Sequence, residues 1–399
     1  MPKKSGTGRL FSRIAAPLSS PSQASSRRPN HGAPAAGPGR GSAIGHSPPL
    51  CSPSLTGLRP PLRFRHISCP HPLGQVWSGL LPSALFFSIG ALPLGGCKPA
   101  PEAITVPVSS WPGYEYVHLA AHSGLAAAQG LDLTVAEYPD PQVIVHAYLR
   151  EDLDLAQLTT VEAVDICSRA PDRCPVVVLV VDESRGGDQL AARLGIDSIA
   201  ELRGQRVGVT HSTLGPYVLS RALERAGLSL ADVQVRNMAL AAMPDALAQG
   251  KVDAVAFFPP YSDYAARQGK SRPLFDSRAI PGEIFDVLVV SPAALEARGP
   301  ALVRLLRAWQ AAHDLARSQP AEARAVMARR EGLSPEEFAA AERGLVYFSL
   351  REQLPMLAPG GTLARNLEAV QNVQQQLRLV NPGSPLPRVS DGLLREALR

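Results

Sequence analysis

The chain has 399 residues, 45% of them hydrophobic, with 40 Lys and Arg against 35 Asp and Glu and a formal charge of +5. That charge is unevenly placed: no Asp or Glu precedes Glu102 and 11 of the basic residues lie in 1–101, so residues 102–399 hold 29 basic and 35 acidic groups, net −6. A nucleic-acid partner is excluded on this ground, because the basic groups that would meet phosphates belong to a segment without a folding pattern.

Residues 1–75 are dominated by Pro, Ser, Gly, Arg and Ala, with single apolar residues at no regular period. Such a stretch buries too little apolar surface to offset the entropy of ordering it, and it reads as a disordered, low-complexity leader. No Met occurs between Met1 and Met238, so a start at a Val or Leu codon near 60–76 would also leave a normal precursor, with the leader untranslated.

From His66 to Cys97 there is no Lys, Arg, Asp or Glu, and Leu80–Leu94 is an apolar core interrupted by Pro and Gly, preceded by Arg59, Arg63 and Arg65. A basic flank and a short apolar core ending in small residues describe a signal peptide, here 76–97, better than a membrane span. Its end, Leu94-Gly95-Gly96-Cys97, resembles the bacterial lipobox. The resemblance implies cleavage before Cys97, acylation of that Cys, and a lipid tether on an otherwise soluble protein. Of the other cysteines, Cys167 and Cys174 flank a short polar loop; in an exported chain they can close a local disulfide, or stand as two small buried residues.

After a short spacer, β-type and helix-type segments alternate. Strands are expected at Ile104–Val108, Leu131–Glu137, Leu153–Gln157, Val176–Val181, Gln189–Arg193, Arg206–Val209, Val233–Asn237, Ala254–Phe257 and Asp286–Val290. Helical spacing marks Tyr114–Gln129, Thr160–Cys167, Pro216–Ala226 and Met243–Gln249. Continuous apolar runs such as Val176–Val181 suit sheets covered on both faces, which predicts an α/β class with mainly parallel sheets. From Pro300 the pattern is helical only; Pro320 ends one helix, and Ser334-Pro335-Glu336-Glu337 is a capping box that starts another. Asn381–Arg388 is Pro-rich and expected to be extended.

Four segments carry a family resemblance. They are Ser110-Trp111-Pro112-Gly113-Tyr114-Glu115 with Gly124-Leu125 and Gly130–Leu133, then Asp154-Leu155-Ala156 with Thr159-Thr160, then Ile199–Val209, and finally Ala246–Ala254 leading to Pro259-Pro260-Tyr261. In order and spacing they resemble the solute-binding proteins of ABC importers for nitrate, sulfonates, taurine and thiamine precursors. The resemblance implies a type II periplasmic-binding fold: two α/β lobes joined by two crossover strands, near Asp188–Arg193 and Phe285–Val290, with a helical C-terminal part. Lobe one would be 98–188 with 286–399, and lobe two 189–285. It further implies an extracytoplasmic lipoprotein, in the periplasm or on the cell surface of a bacterium, that passes a small organic solute to permease and ATPase subunits. A sulfonate, a taurine-like zwitterion, a nitrate-like anion and a thiamine-precursor-like heterocycle all remain open. The chain is expected to be a monomer, with no catalytic residue, cofactor, metal or nucleic-acid partner.

In such a fold, loops leaving strand ends face the cleft between the lobes. Trp111 and Tyr114 follow the first strand and can stack on an organic solute, with Gly113 permitting close approach. Thr159 and Thr160 follow the third strand and begin a helix, where hydroxyls and amides can donate to an anion. Ser212 and Thr213 do the same ahead of Pro216, in the best anion site the sequence offers. The acidic loop Asp182–Asp188 complicates a purely anionic reading: carboxylates beside aromatics, with Asp182 and Asp188 foremost, favour an amine. Tyr261 and Asp286 complete the candidate set, and Glu162 can add an acceptor.

Two other functions compete: a solute sensor with no transporter, and an enzyme on the same fold. No Gly-x-Ser-x-Gly, Walker, dinucleotide or His-Glu-x-x-His motif is present. The related pyrimidine synthases need a cofactor-bearing Lys and a Cys cluster; after Lys98 only Lys251 and Lys270 remain, without such a cluster. His118 and His122, one turn apart, read as polar positions on a surface helix.

Overall fold

The computed structural model describes residues 100–399; the leader, the apolar segment and Cys97 lie outside them. Twelve strands occur in this range: β1 (Glu102–Val108), β2 (Leu131–Glu137), β3 (Leu155–Thr159), β4 (Val176–Ser184), β5 (Gln189–Arg193), β6 (Arg206–Val209), β7 (Gln234–Asn237), β8 (Ala254–Phe257), β9 (Ser271–Asp276), β10 (Phe285–Val290), β11 (Leu345–Val346) and β12 (Arg388–Val389).

Two five-stranded sheets result. One has the order β11-β4-β10-β3, with β12 also paired to β4, and the parallel pair β1-β2 packs beside its β3 edge. The other has the order β7-β6-β8-β5-β9. Apolar runs explain the central positions: every residue of β4 and of β10 is buried, so both faces of these strands are covered. The expected parallel pairing holds for β1-β2, β6-β7 and β6-β8. The sheets are nonetheless mixed. β5 is antiparallel to β8 and β9, and β10 is antiparallel to β3 and β4, because these two strands carry the chain from one sheet to the other and back.

Several boundaries differ from the sequence expectation for identifiable reasons. β4 continues through Asp182 and Ser184, where an acidic loop was expected, because β10 and β11 supply ladder partners to its end. The first helical stretch stops at His122 and resumes at Leu125, with Gly124 left-handed (φ 71°) between them. Helix Pro292–Ser318 begins before Pro300 and bends at non-helical Arg298, two residues ahead of the proline that lacks a donor. Helices Pro141–Leu149 and Tyr261–Arg267 and strand β9 were not anticipated. The Ser334 capping box forms as expected, its hydroxyl accepting from Glu337 N–H at 3.2 Å.

No helix among the described residues is long and apolar enough to cross a membrane. The Sγ atoms of Cys167 and Cys174 are bonded, closing the turn between helix Thr160–Arg169 and β4.

Candidate functional site

Where β3, β10 and β4 run side by side, their registers align three polar residues in one row: Thr159 opposite Asp286, and Asp286 opposite Asp182. The turn after β1 closes over this row. Trp111 donates from Nε1 to Asp182 Oδ2 at 3.0 Å, and the Tyr114 hydroxyl donates to Asp286 Oδ1 at 2.6 Å. Gly113 is required between them, since a Cβ there would stand 1.8 Å from Asp182 Oδ2. Sequence reasoning assigned Gly113 to close approach of a ligand; the close neighbour is a carboxylate of the protein itself.

Trp111 is fixed from two further sides. Its backbone N–H donates to Glu331 Oε1 at 3.0 Å, and Glu331 is held in turn by Arg330, which also grips buried Glu115. Its ring meets Phe258 of the other sheet's lobe edge-on, with centroids 5.5 Å apart. A rigid aromatic wall follows from these ties.

The second sheet closes the opposite side. Leu214, just before helix Gly215–Glu224, and Phe258, just after β8, face Trp111, Tyr114, Thr159, Glu162, Asp188 and Asp286 across a narrow cavity of about 20 Å³, room for a water-sized group while the two sides are together. Ser109 and Pro141 complete the lining. Contacts across the cleft hold the two sides together. Leu214 N–H donates to Glu162 Oε1 at 2.7 Å, Leu240 N–H to Asp140 Oδ2 at 3.3 Å, and Gln142 Nε2 to the His211 carbonyl at 2.8 Å.

Five of the sequence-selected residues therefore share one cavity: Trp111, Tyr114, Thr159, Asp188 and Asp286. Asp182 stands behind them as the acceptor for Trp111, and Thr160 is buried with its hydroxyl unpartnered. Three lie outside this cavity. Tyr261 reaches the Pro139 carbonyl at 3.5 Å and packs edge-on against Phe258. Ser212, left-handed at φ 57°, and Thr213 line a neighbouring hollow with Glu162, Asp165 and Gln374, and Thr213 also borders Asp188, Leu214 and Phe258. Three of the donors around this turn are engaged within the chain. Thr213 Oγ1 donates to the Thr210 carbonyl, His211 N–H to Asn237 Oδ1, and Leu214 N–H to Glu162.

Leu214 and Phe258 were missed, because an apolar residue beside a helix start or strand end has no sequence mark separating a ligand wall from core. Glu162 was named as an added acceptor for the site, and on its own helix it completes a capping box with Thr159. Its reach to Leu214 depends on how the lobes meet.

The electrostatics are dominated by burial of like charges. Burial pushes Asp188 up to about 7, and the nearby Glu162 carboxylate pushes the same way. Asp286 is raised well above the carboxylate range, by burial first and then by the Asp182 charge, against the opposing hydrogen bond from Tyr114. Asp182 is raised for the same first reason, with Asp188 adding to it. Glu162 is raised by burial against the donors Thr159 and Leu214. Two carboxyls paired across a buried ladder cannot both ionise cheaply, so protons are held on these side chains. Among the described residues, no group of three or more His, Cys, Asp or Glu is arranged to hold a metal ion. A molecule larger than water enters this cavity only when its two walls move apart.

Comparison with known proteins agrees with the architecture. A protein of Escherichia coli strain K12 named "Putative aliphatic sulfonates-binding protein" is 33% identical over 138 residues, 35% of this chain and 43% of that protein, so the match spans under half of its length. The crystal structure of the periplasmic aliphatic sulphonate binding protein from Escherichia coli superposes with a TM-score of 0.58 at 22% identity, covering 73% of this chain and 91% of that one. The desulfurization enzyme DSZB shares the fold at a TM-score of 0.57 and 20% identity, covering 74% of this chain and 99% of that one. The family model described as NMT1/THI5 like matches residues 112–323, more than half of the chain, and this protein belongs to that family.

Proposed function

We propose that this chain is the substrate-binding lipoprotein of an ABC importer, tethered outside the cytoplasm through Cys97. It holds a small organic solute between lobe one (98–188 and 286–399) and lobe two (189–285) and passes it to a permease. The carrying observation is the cavity walled from both lobes, with Trp111, Tyr114, Asp188 and Asp286 on one side and Leu214 and Phe258 on the other. Bridging by solute stabilises the closed arrangement by its differential affinity for that state, and a closed receptor presents a distinct surface to a permease. Site residues act by position rather than chemistry: the aromatic groups shape the cavity and the carboxylates accept hydrogen bonds.

The test is a thermal-shift and calorimetric screen of the purified protein against sulfonates, taurine, nitrate, pyrimidines and amines. Binding of one class with a raised melting temperature and no turnover supports the reading. Turnover of a bound solute would replace it with an enzyme on the same fold. Tethering is checked separately, since Cys97→Ser should release the protein from the membrane fraction and abolish labelling by fatty acid.

A further inference from the structure

The hydrogen-bond inventory of the cavity is one-sided. Its donors are spent on the protein's own carboxylates: Trp111 Nε1–H on Asp182, Tyr114 O–H on Asp286, Leu214 N–H and Thr159 N–H on Glu162. Among the cavity's side chains only the Ser109 hydroxyl, which can donate or accept, and Asp188 Oδ2, which can only accept when ionised, are buried without a partner. Asp188 is 2% exposed, and leaving a carboxylate oxygen unpaired at such a place is costly unless something donates to it. No Lys, Arg or His stands among the residues lining this cavity.

The charges around Asp188 point the same way from every side. Asp182 on β4, Asp286 on β10 and Glu162 on helix Thr160–Arg169 are acidic, and the Tyr114 phenol is committed to Asp286. Leu214 and Phe258 on the facing lobe are uncharged, and Thr213 beside them donates elsewhere. The arginines adjoining this stretch are already paired, Arg185 with Glu183 and Arg278 with Asp276.

We infer that the solute is an organic cation, an ammonium or amidinium on an apolar or aromatic body, which enters as the two walls part, its charged head donating to Asp188 Oδ2 and its body lying among Trp111, Tyr114 and Phe258. This rests on the receptor reading of the cleft and narrows it to one chemical class. An anion of the same shape would meet three acidic side chains, with the Trp111, Tyr114, Leu214 and Thr159 donors already engaged and the Ser109 hydroxyl the one unpartnered neutral donor in the lining. A cation meets an acceptor surplus and aromatic faces, both of which favour it. Its arrival also displaces the proton that burial keeps on Asp188, so binding releases protons and tightens as the pH rises through about 7.

The test pairs two probes of one shape and opposite charge, benzamidine and benzenesulfonate, on the processed full-length protein purified from a bacterial host. Calorimetry in two buffers of different ionisation enthalpy and Trp fluorescence are followed from about pH 5.5 to about pH 8. The expected result is that benzamidine binds with net proton release, at least about tenfold tighter at the upper pH, and benzenesulfonate does not bind. Asp188→Asn should weaken benzamidine at least about tenfold; the pH dependence of the unmodified protein gives the same information should that variant fail to fold. Binding of benzenesulfonate alone, benzamidine affinity flat with pH, or an Asp188→Asn variant with unchanged affinity would each overturn the cationic assignment and leave the receptor standing. Silence toward both probes and toward the wider solute screen would overturn the receptor reading as well.

Discussion

Glu162 Oε1 accepts the backbone N–H of Leu214 at 2.7 Å, so a carboxylate from one lobe satisfies a free donor at the start of a helix on the other. The same side chain accepts from Thr159 N–H through its second oxygen at 2.8 Å. One buried residue thus both starts its own helix and closes the cleft. Glu162→Ala should lower stability by about 1–3 kcal/mol, combining loss of a cap with loss of a buried hydrogen bond. It should also enlarge the radius of gyration of the ligand-free protein in small-angle scattering. An unchanged radius would mean that Glu162 does not help to hold the lobes together.

The stored protons set a pH dependence of stability. Asp188 lies near 7 in the folded chain against an ordinary value of 3.8, and Asp182 and Asp286 are raised as well. Between these limits the native state binds more protons than the unfolded chain. Stability is therefore full below about pH 4 for these groups and falls as the pH climbs through about 7, by up to about 1.4 kcal/mol per pH unit for each group in its window. The ligand-free protein should melt several degrees higher at about pH 5.5 than at about pH 8.5, and Asp188→Asn should narrow the gap. A melting temperature that rises across this range would contradict the assignment.

Gly113 offers a sharper structural test. A methyl group there would overlap Asp182 Oδ2 and come within 2.8 Å of Trp111 Nε1. Gly113→Ala should cost about 1–3 kcal/mol as overpacking and shift Trp fluorescence by displacing the Trp111 indole. A variant with native stability and spectrum would show that the turn relaxes freely.

The bond between Cys167 and Cys174 closes a loop with a sequence separation of 7. Chain-entropy arithmetic for so short a loop gives about 2–3 kcal/mol. The double variant Cys167→Ser, Cys174→Ser should lose that amount in denaturant titration. Reduction of the unaltered protein should produce the same shift.

Much of the fold was legible because it is written in local patterns. The buried run Val176–Val181 announced a central strand, and Ser334 with Glu337 announced a helix start. Helix Pro141–Leu149 was missed because its apolar residues do not separate cleanly into one face, and its cap Asp140 is also used by Leu240 across the cleft. Trp111 and Tyr114 could be named from their place after the first strand, and the aspartates from the acidic stretch and strand start at the two expected crossovers. What could not be read was the pairing. That Asp182 faces Asp286, or that Glu162 meets Leu214, depends on strand register and lobe contact, which no single segment encodes.

The carboxylates also sit in a telling place. Asp182 and Asp188 flank the first passage between the sheets, and Asp286 lies at the start of the second, on β10. Groups carried on an axle move little when the jaws turn about it, so above the pH at which these carboxyls ionise, the field they set at the mouth of the proposed receptor is nearly the same open or shut. Capture of a charged solute should then proceed at an encounter rate that falls with ionic strength yet ignores lobe position. Attraction and retention become separable properties, the first set by the crossing strands and the second by the residues that meet across the cleft.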